Sequence, residues 1–185
     1  MDLTHHFLVS MPQMRDSFFQ SSVVYVLEHN DQGAFGVIIN DELDMSIESL
    51  LSEVDIELRN NEARETIVLR GGPVDQSHGL VLHEAGPSFS ATHNFEHGVS
   101  LSSSRDILEA IASGGEGEPD NFLIVLGHSG WAPGQLEMEV AANAWLTCEA
   151  DSDIIFKTPA HQRREAAASL IGVNLSSVVG HTGHA

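Results

Sequence analysis

Lysine is nearly absent: Lys157 stands alone, and the chain of 185 residues carries eight basic against 27 acidic side chains, a formal net charge of −19. Binding to a nucleic-acid backbone rests on Lys and Arg displacing counterions. Arg163-Arg164 is the one basic pair, so direct binding to DNA or RNA is disfavoured, as is an anionic membrane surface. Cysteine is equally scarce. Cys148 has no partner for an internal disulfide, which fits a reducing cytoplasm. No apolar run reaches the ~18 residues of a membrane-spanning helix. The opening MDLTHHFLVSMPQM lacks the basic flank and apolar stretch of a signal peptide. Repeats and low-complexity linkers are also missing. The expected place of the chain is therefore the cytoplasm.

What is there suits a packed domain: 42% hydrophobic and 19% charged residues, near the averages for globular proteins. The acidity reads first as a device for solubility, as in a salty cytoplasm. Eleven histidines add a latent response to acid. Phe7–Ser10, Val23–Leu27, Phe35–Ile39, Thr66–Leu69, Leu80–Leu82, Val99–Leu101, Phe122–Leu126 and Trp145–Thr147 read as strands, with 29–33 a hairpin turn longer than the tightest type. Ile47, Leu50, Leu51 and Val54 fall at helical spacing behind Ser46 as N-cap. Further helices are expected from Ser103-x-x-Asp106 to Gly114, over Gln135–Ala144, and from Thr158-Pro159 to about Leu170. Strands and helices at irregular intervals argue for an α+β fold with a strongly bent mixed sheet, not for a doubly wound one.

Five patterns invite chemistry. FLIVLGHSGW resembles a nucleophile elbow, but G-x-S-x-G needs its second glycine two places after the serine. Here Gly130 follows Ser129 directly and Trp131 takes that place, so a strand-to-helix turn is expected. HNFEH at 93–97 matches an inverted zinc-protease motif, whose histidines must share a helix face; Ser88–Thr92 and Gly98 around it disfavour a helix. No metal and no cofactor are expected. RGGPV at 70–74 offers backbone amides to an anion, but reads better as a turn locked by Pro73. Cys148 has no cationic neighbour to make it a thiolate. The fifth pattern is the least ordinary. Trp131 precedes a helix on which Gln135 and Glu139 stand four apart on one face, and Asp16, Glu28, His29 and Asn40 sit at strand ends or turns, where sites gather. With Gly71 and Gly72 these residues are expected to form one small polar cleft, Trp131 its wall or floor. The competing reading is that they cap and pin loops. No catalytic residue is assigned.

MPQMRDSFFQSSVVYVLEHNDQGAFGVIIN, RGGPV followed by HGLVLH, GHSGWAPGQLEMEVAANAWL and the closing GHA together resemble the AlgH/YqgE family of bacterial proteins, in order and spacing over nearly the whole chain. Asp41-Glu42 departs from a basic residue and proline common there, Arg163 from a tryptophan, and His128 from a tyrosine. The resemblance implies a single α+β domain over 1–185 with a pseudo-barrel sheet. It carries the family's label of transcriptional regulator but no established reaction. No helix-turn-helix with basic residues and no basic arm is present. The expectation is a regulatory or interaction module acting through a protein or small-molecule ligand. Its rivals are an enzyme using carboxylates and His29 for acid–base chemistry and, against the charge, a direct DNA-binding regulator.

The charge generates the first test. In fluorescence anisotropy at ~50 mM salt, where phosphate contacts are strongest, the protein is expected to leave duplex DNA unbound; micromolar affinity would overturn the charge argument.

Overall fold

The structure, a computed structural model, describes residues 1–175. In chain order its elements are β1 (His6–Ser10), β2 (Val23–Asn30), β3 (Gly33–Ile38), β4 (Glu42–Ser46), α1 (Ile47–Glu53), β5 (Ile67–Arg70), β6 (Val74–Glu84), β7 (Thr92–Asn94), β8 (Val99–Ser102), α2 (Arg105–Ser113), β9 (Phe122–Trp131), α3 (Gln135–Ala141), β10 (Trp145–Glu149), α4 (Ser152–Phe156) and α5 (Ala160–Ser169). The class is α+β and the strand pairing mixed, as the sequence leads one to expect. The chain gathers into two compact units, 1–41 with 129–185, and 42–128. Among the described residues no helix is long and apolar enough to cross a membrane.

In the first unit the strands run β10-β1-β2-β3 and then the last three residues of β9, every pair antiparallel. β1 and β2 are apolar on both faces because both are covered: Phe7, Leu8, Val9 and Val23–Leu27 are all buried. The hairpin is tighter than expected. Asn30 pairs with Gly33, which leaves a two-residue loop, and a bulge between Val26 and Glu28 resets the register. Gly33 is obligatory there. Its φ is +123°, and a Cβ would stand 2.1 Å from the carbonyl oxygen of Trp131, so any side chain would drive the hairpin off β9. α5 covers the unit through Ala160, Ala167 and Ala168. Arg163 is buried beneath it and donates to the carbonyls of Ile39 and Thr158. Cys148 is buried as well and donates weakly to the Ala167 carbonyl; burial pushes its thiol up to about 11, the character of a packing residue.

In the second unit the order is β4-β5-β9-β6-β8-β7, with β5 and β9 parallel and every other pair antiparallel. Its core joins Ile47 and Leu51 of α1, Ile107 and Ile111 of α2, and Val68, Val81 and Ile124 of the strands. Ser46 caps α1 as expected, accepting from the Ser49 amide. α2 begins one residue later than expected, behind Ser104. Asp106 explains the shift: its carboxylate takes the Ser104 hydroxyl together with the amide and hydroxyl of Ser90. Those bonds hold it at about 2.

Three further differences have physical reasons. β6 runs eleven residues, not three, because Val74–Gly79 is exposed on both faces and carries no apolar alternation. β9 continues through Trp131 where a strand-to-helix turn is expected; Gly127 adopts φ +74° inside the strand and lets it pass close to the Gly72 carbonyl. β4 and α4 are short. α4 rests on Asp151, whose carboxylate accepts from the Asp153 and Ile154 amides.

One buried polar group makes stability depend on pH. His83 has no exposed surface. Its Nδ1 lies 2.9 Å from the Glu84 carbonyl oxygen, which can only accept, so Nδ1 carries the proton and Nε2 accepts from the Ser102 hydroxyl at 2.9 Å. Burial lowers its pKa below the ordinary 6.5, a shift partly opposed by the Glu84 carbonyl. Below about pH 6.5 the unfolded chain therefore takes up a proton that the folded chain refuses, and stability falls as pH falls toward the folded pKa. Urea midpoints measured from pH 7.5 down to 5.5 should decline, and decline less in His83→Gln. Equal slopes in the two proteins would show that His83 is not the cause.

Candidate functional site

Trp131, Gln135 and Glu139 do come together, around one carboxylate. Glu139 Oε2 accepts from the indole N–H of Trp131 at 2.9 Å and from that of Trp145 at 2.7 Å. Its Oε1 accepts from Gln135 Nε2 at 2.9 Å, and Gln135 Oε1 in turn accepts from the Ala132 amide. Helical spacing puts Gln135 and Glu139 on one side of α3. The neighbouring stripe, Leu136 and Val140, about 100° around the helix, packs into the apolar cluster of this unit. Phe19 fills the space between the indoles, 6.1 Å from Trp131 and 5.5 Å from Trp145. Indole N–H groups in a packed setting need an acceptor, and this carboxylate serves two of them.

His29 lies close by, on the hairpin strand that pairs through Ala34 with Trp131. It is buried and fully committed. Its Nδ1 accepts from the Leu3 amide at 3.0 Å, so Nε2 bears the proton and donates to Glu137 at 3.0 Å. Glu137's own backbone N–H at the start of α3, with the His29 bond behind it, holds that carboxyl below the usual range. Glu28 is exposed and accepts from Asn30. With Asn30, Gln32, Phe35 and Trp131 it borders a hollow of about 180 Å³, below the ~300–1,000 Å³ of small-molecule sites.

The other expected members have local duties. Asp16 accepts from the Phe18 amide and folds its own loop. Asn40 accepts from the Val23 amide at 2.8 Å and donates to the Ser21 carbonyl, pinning the end of β3 to the start of β2. Gly71 and Gly72 belong to the second unit. Gly71 donates to Leu126, and a Cβ on it would stand 2.3 Å from the Gly127 carbonyl oxygen, so this pair serves close backbone packing. Two participants escape the sequence reading. Trp145 lies beyond α3, outside any helical spacing. Glu137 is one of many acidic residues, and its histidine partner is 108 positions away.

The remaining motifs resolve as follows. Ser129 is buried inside β9 opposite Gly36, with no elbow around it. His93 lies in β7, and His97 sits at φ +63° in a short 3-10 turn, so HNFEH is not a helix. Among the described residues no group of three His, Cys, Asp or Glu side chains is placed to hold a metal ion. His181 and His184 and the closing GHA fall outside the described residues.

Comparison with known proteins gives a consistent result. A family profile described as AlgH-like matches residues 7–176. A UPF0301 protein of Vibrio atlanticus is 42% identical over 189 residues, covering 100% of both chains. Another, of Nitrosospira multiformis, is 44% identical and covers 100% of this chain and 98% of its own. The solution structure of the AlgH protein from Pseudomonas aeruginosa is similar to the whole of this chain and 97% of that one, at 41% identity and a TM-score of 0.81. A crystal structure from Corynebacterium diphtheriae, 19% identical with a TM-score of 0.72, shares the fold.

If Glu139 is the acceptor that both indoles require, Glu139→Ala should lower stability by about 2–6 kcal/mol, at about 1–3 kcal/mol for each of the two orphaned donors. Glu139→Gln, which keeps an acceptor oxygen, should lose less. Chemical denaturation followed by tryptophan fluorescence measures both, since Trp131 and Trp145 are the two tryptophans. An unchanged midpoint in Glu139→Ala would mean that the carboxylate is not structural.

Proposed function

The chain belongs to the AlgH-like family, and on that premise we propose that it is a cytoplasmic regulatory module that binds a small molecule or a partner protein and carries out no acid–base chemistry at the Trp131–Glu139 cluster. One observation carries this reading. The groups that a proton-transfer mechanism would use are already committed: Glu139 accepts from three N–H donors, and His29 uses one nitrogen to accept from the Leu3 amide and the other to donate to Glu137. A general base needs a lone pair within reach of the substrate. Freeing a nitrogen of His29, or any of the three lone pairs in use on Glu139, would cost packed hydrogen bonds.

The charge supports the same reading from another side. At −19, regulation by direct contact with DNA would work against the field of the whole protein. Regulation through a ligand or a protein partner has no such obstacle. The free, buried thiol of Cys148 suits a reducing compartment.

Thermal-shift screening against a metabolite collection, with mass spectrometry of what is left, tests the proposal. A true ligand at about 100 times its Kd adds about 2.7 kcal/mol, or about 5–10 °C in Tm for a chain of this size, and should be recovered unaltered. Conversion of the stabilising compound, lost in His29→Gln, would make the chain an enzyme and contradict the proposal.

A further inference from the structure

The second unit contains a cavity of about 330 Å³ between α1, α2 and the strands β6, β8 and β9. It lies within the size range of small-molecule sites. Its walls are apolar: Leu50 and Val54 from the end of α1, Leu80 from β6, Ile107 and Leu108 from α2, and Leu126 from β9. Val54 is 38% exposed. Leaving such an apolar surface open to water is costly.

The polar groups around it define what it accepts. Arg105 is the cation of the lining; its charge is paired with Glu109 and three of its five N–H groups are engaged. It donates to the Val54 and Asp55 carbonyls at the end of α1, and to Glu109 on its own helix. Glu53 also lines the cavity. An anionic ligand would thus meet a positive charge already paired with Glu109, the Glu53 carboxylate, and the field of a chain at −19. On the floor, Ser102 is the polar side chain. Its hydroxyl donates to His83 Nε2 and its oxygen lies 2.8 Å from the Thr92 hydroxyl, so it asks nothing of a ligand. What remains for hydrogen bonding is mainly Ser77, His78 and Ser103, since Ser104 is engaged with Asp106 and the Ala91 amide.

From the volume, the apolar walls and the paired charge of Arg105 we infer that this cavity binds a small, uncharged, mainly apolar molecule, with any hydrogen-bonding group directed to Ser77, His78 and Ser103. The inference rests on the reading of the chain as a binding module, and it assigns the ligand's place and class. Nothing in the Trp131–Glu139 cluster takes part.

Gly79 gives a clean way to close the cavity. It lines the wall, its φ is ordinary, and a Cβ there would find Leu126 Cδ2 at 3.8 Å as its nearest neighbour. Gly79→Leu should therefore fold normally and fill the space. The probe is the neutral dye 1-N-phenylnaphthylamine, titrated into the intact protein. The expected result is saturable binding with one site per chain, at least tenfold weaker in Gly79→Leu at unchanged Tm. The anionic anilinonaphthalene sulfonate should bind at least tenfold more weakly than the neutral dye. Leu108→Ser, which makes the wall polar, should weaken the neutral dye as well. Binding that survives both substitutions, no saturable binding, or preference for the anionic dye would overturn the inference. So would dye binding that weakens as protein concentration rises, which would give the cavity to a second copy of the chain. A compound converted in the thermal-shift screen would instead overturn the non-catalytic reading and leave this site standing.

Discussion

A single carboxylate organises the first unit. Glu139 gathers the indole N–H of Trp131 at the end of β9, that of Trp145 at the start of β10, and the amide of Gln135 one turn away on α3. α3 has seven residues and a left-handed glycine, Gly134, in place of a capping side chain. A helix that short has little stability of its own. Its position comes from what its side chains hold: Leu136 in the apolar cluster, Glu139 between the tryptophans, and Glu137 on His29. His29 in turn fixes the N-terminal segment through Leu3, and Trp131 fixes the hairpin, whose Gly33 touches its carbonyl. Removing the carboxylate would leave two packed indole donors without an acceptor, a larger loss than removing any one of the surface ion pairs.

That dependence gives the most chemical-looking part of the sequence a structural role. Trp, Gln, Glu and His near strand ends look like a site because sites use those residue types. The same types are also what a fold uses to satisfy indoles, amides and chain ends. The bonds themselves mark the structural use: without Glu139 and His29, two indole N–H groups and the Leu3 amide would lose their acceptors. In the second unit Arg105 is likewise engaged by carbonyls and Ser102 by His83, while apolar surface at Val54 and Leu108 is left over. Binding capacity lies with that remainder.

Much of the fold was legible in the sequence. Val23–Leu27 and Phe122–Leu126 announce themselves as strands covered on both faces, and Ile47, Leu50 and Leu51 behind Ser46 announce a capped helix. Legibility fails where burial does not impose a pattern. The first half of β6 is polar because water touches both faces, and Gly127 reads as a turn although its role is close passage of two backbones. Within the candidate site, Trp131, Gln135 and Glu139 were readable from helical spacing. Trp145 and the His29–Glu137 bond were not, because tertiary contacts across 6 and 108 positions leave no periodic trace. Gly71 and Gly72 share the strand-end character of the other candidates but serve the second unit, a division that strand-end reasoning cannot see.

The account stands or falls on whether both indoles are held by Glu139. Hydrogen exchange of the two indole N–H protons, followed by NMR, reads this directly. Both should exchange far more slowly than free indole, and both should accelerate together when Glu139 is replaced by alanine. Exchange at the free-indole rate in the unaltered protein, or acceleration of one proton without the other, would contradict it.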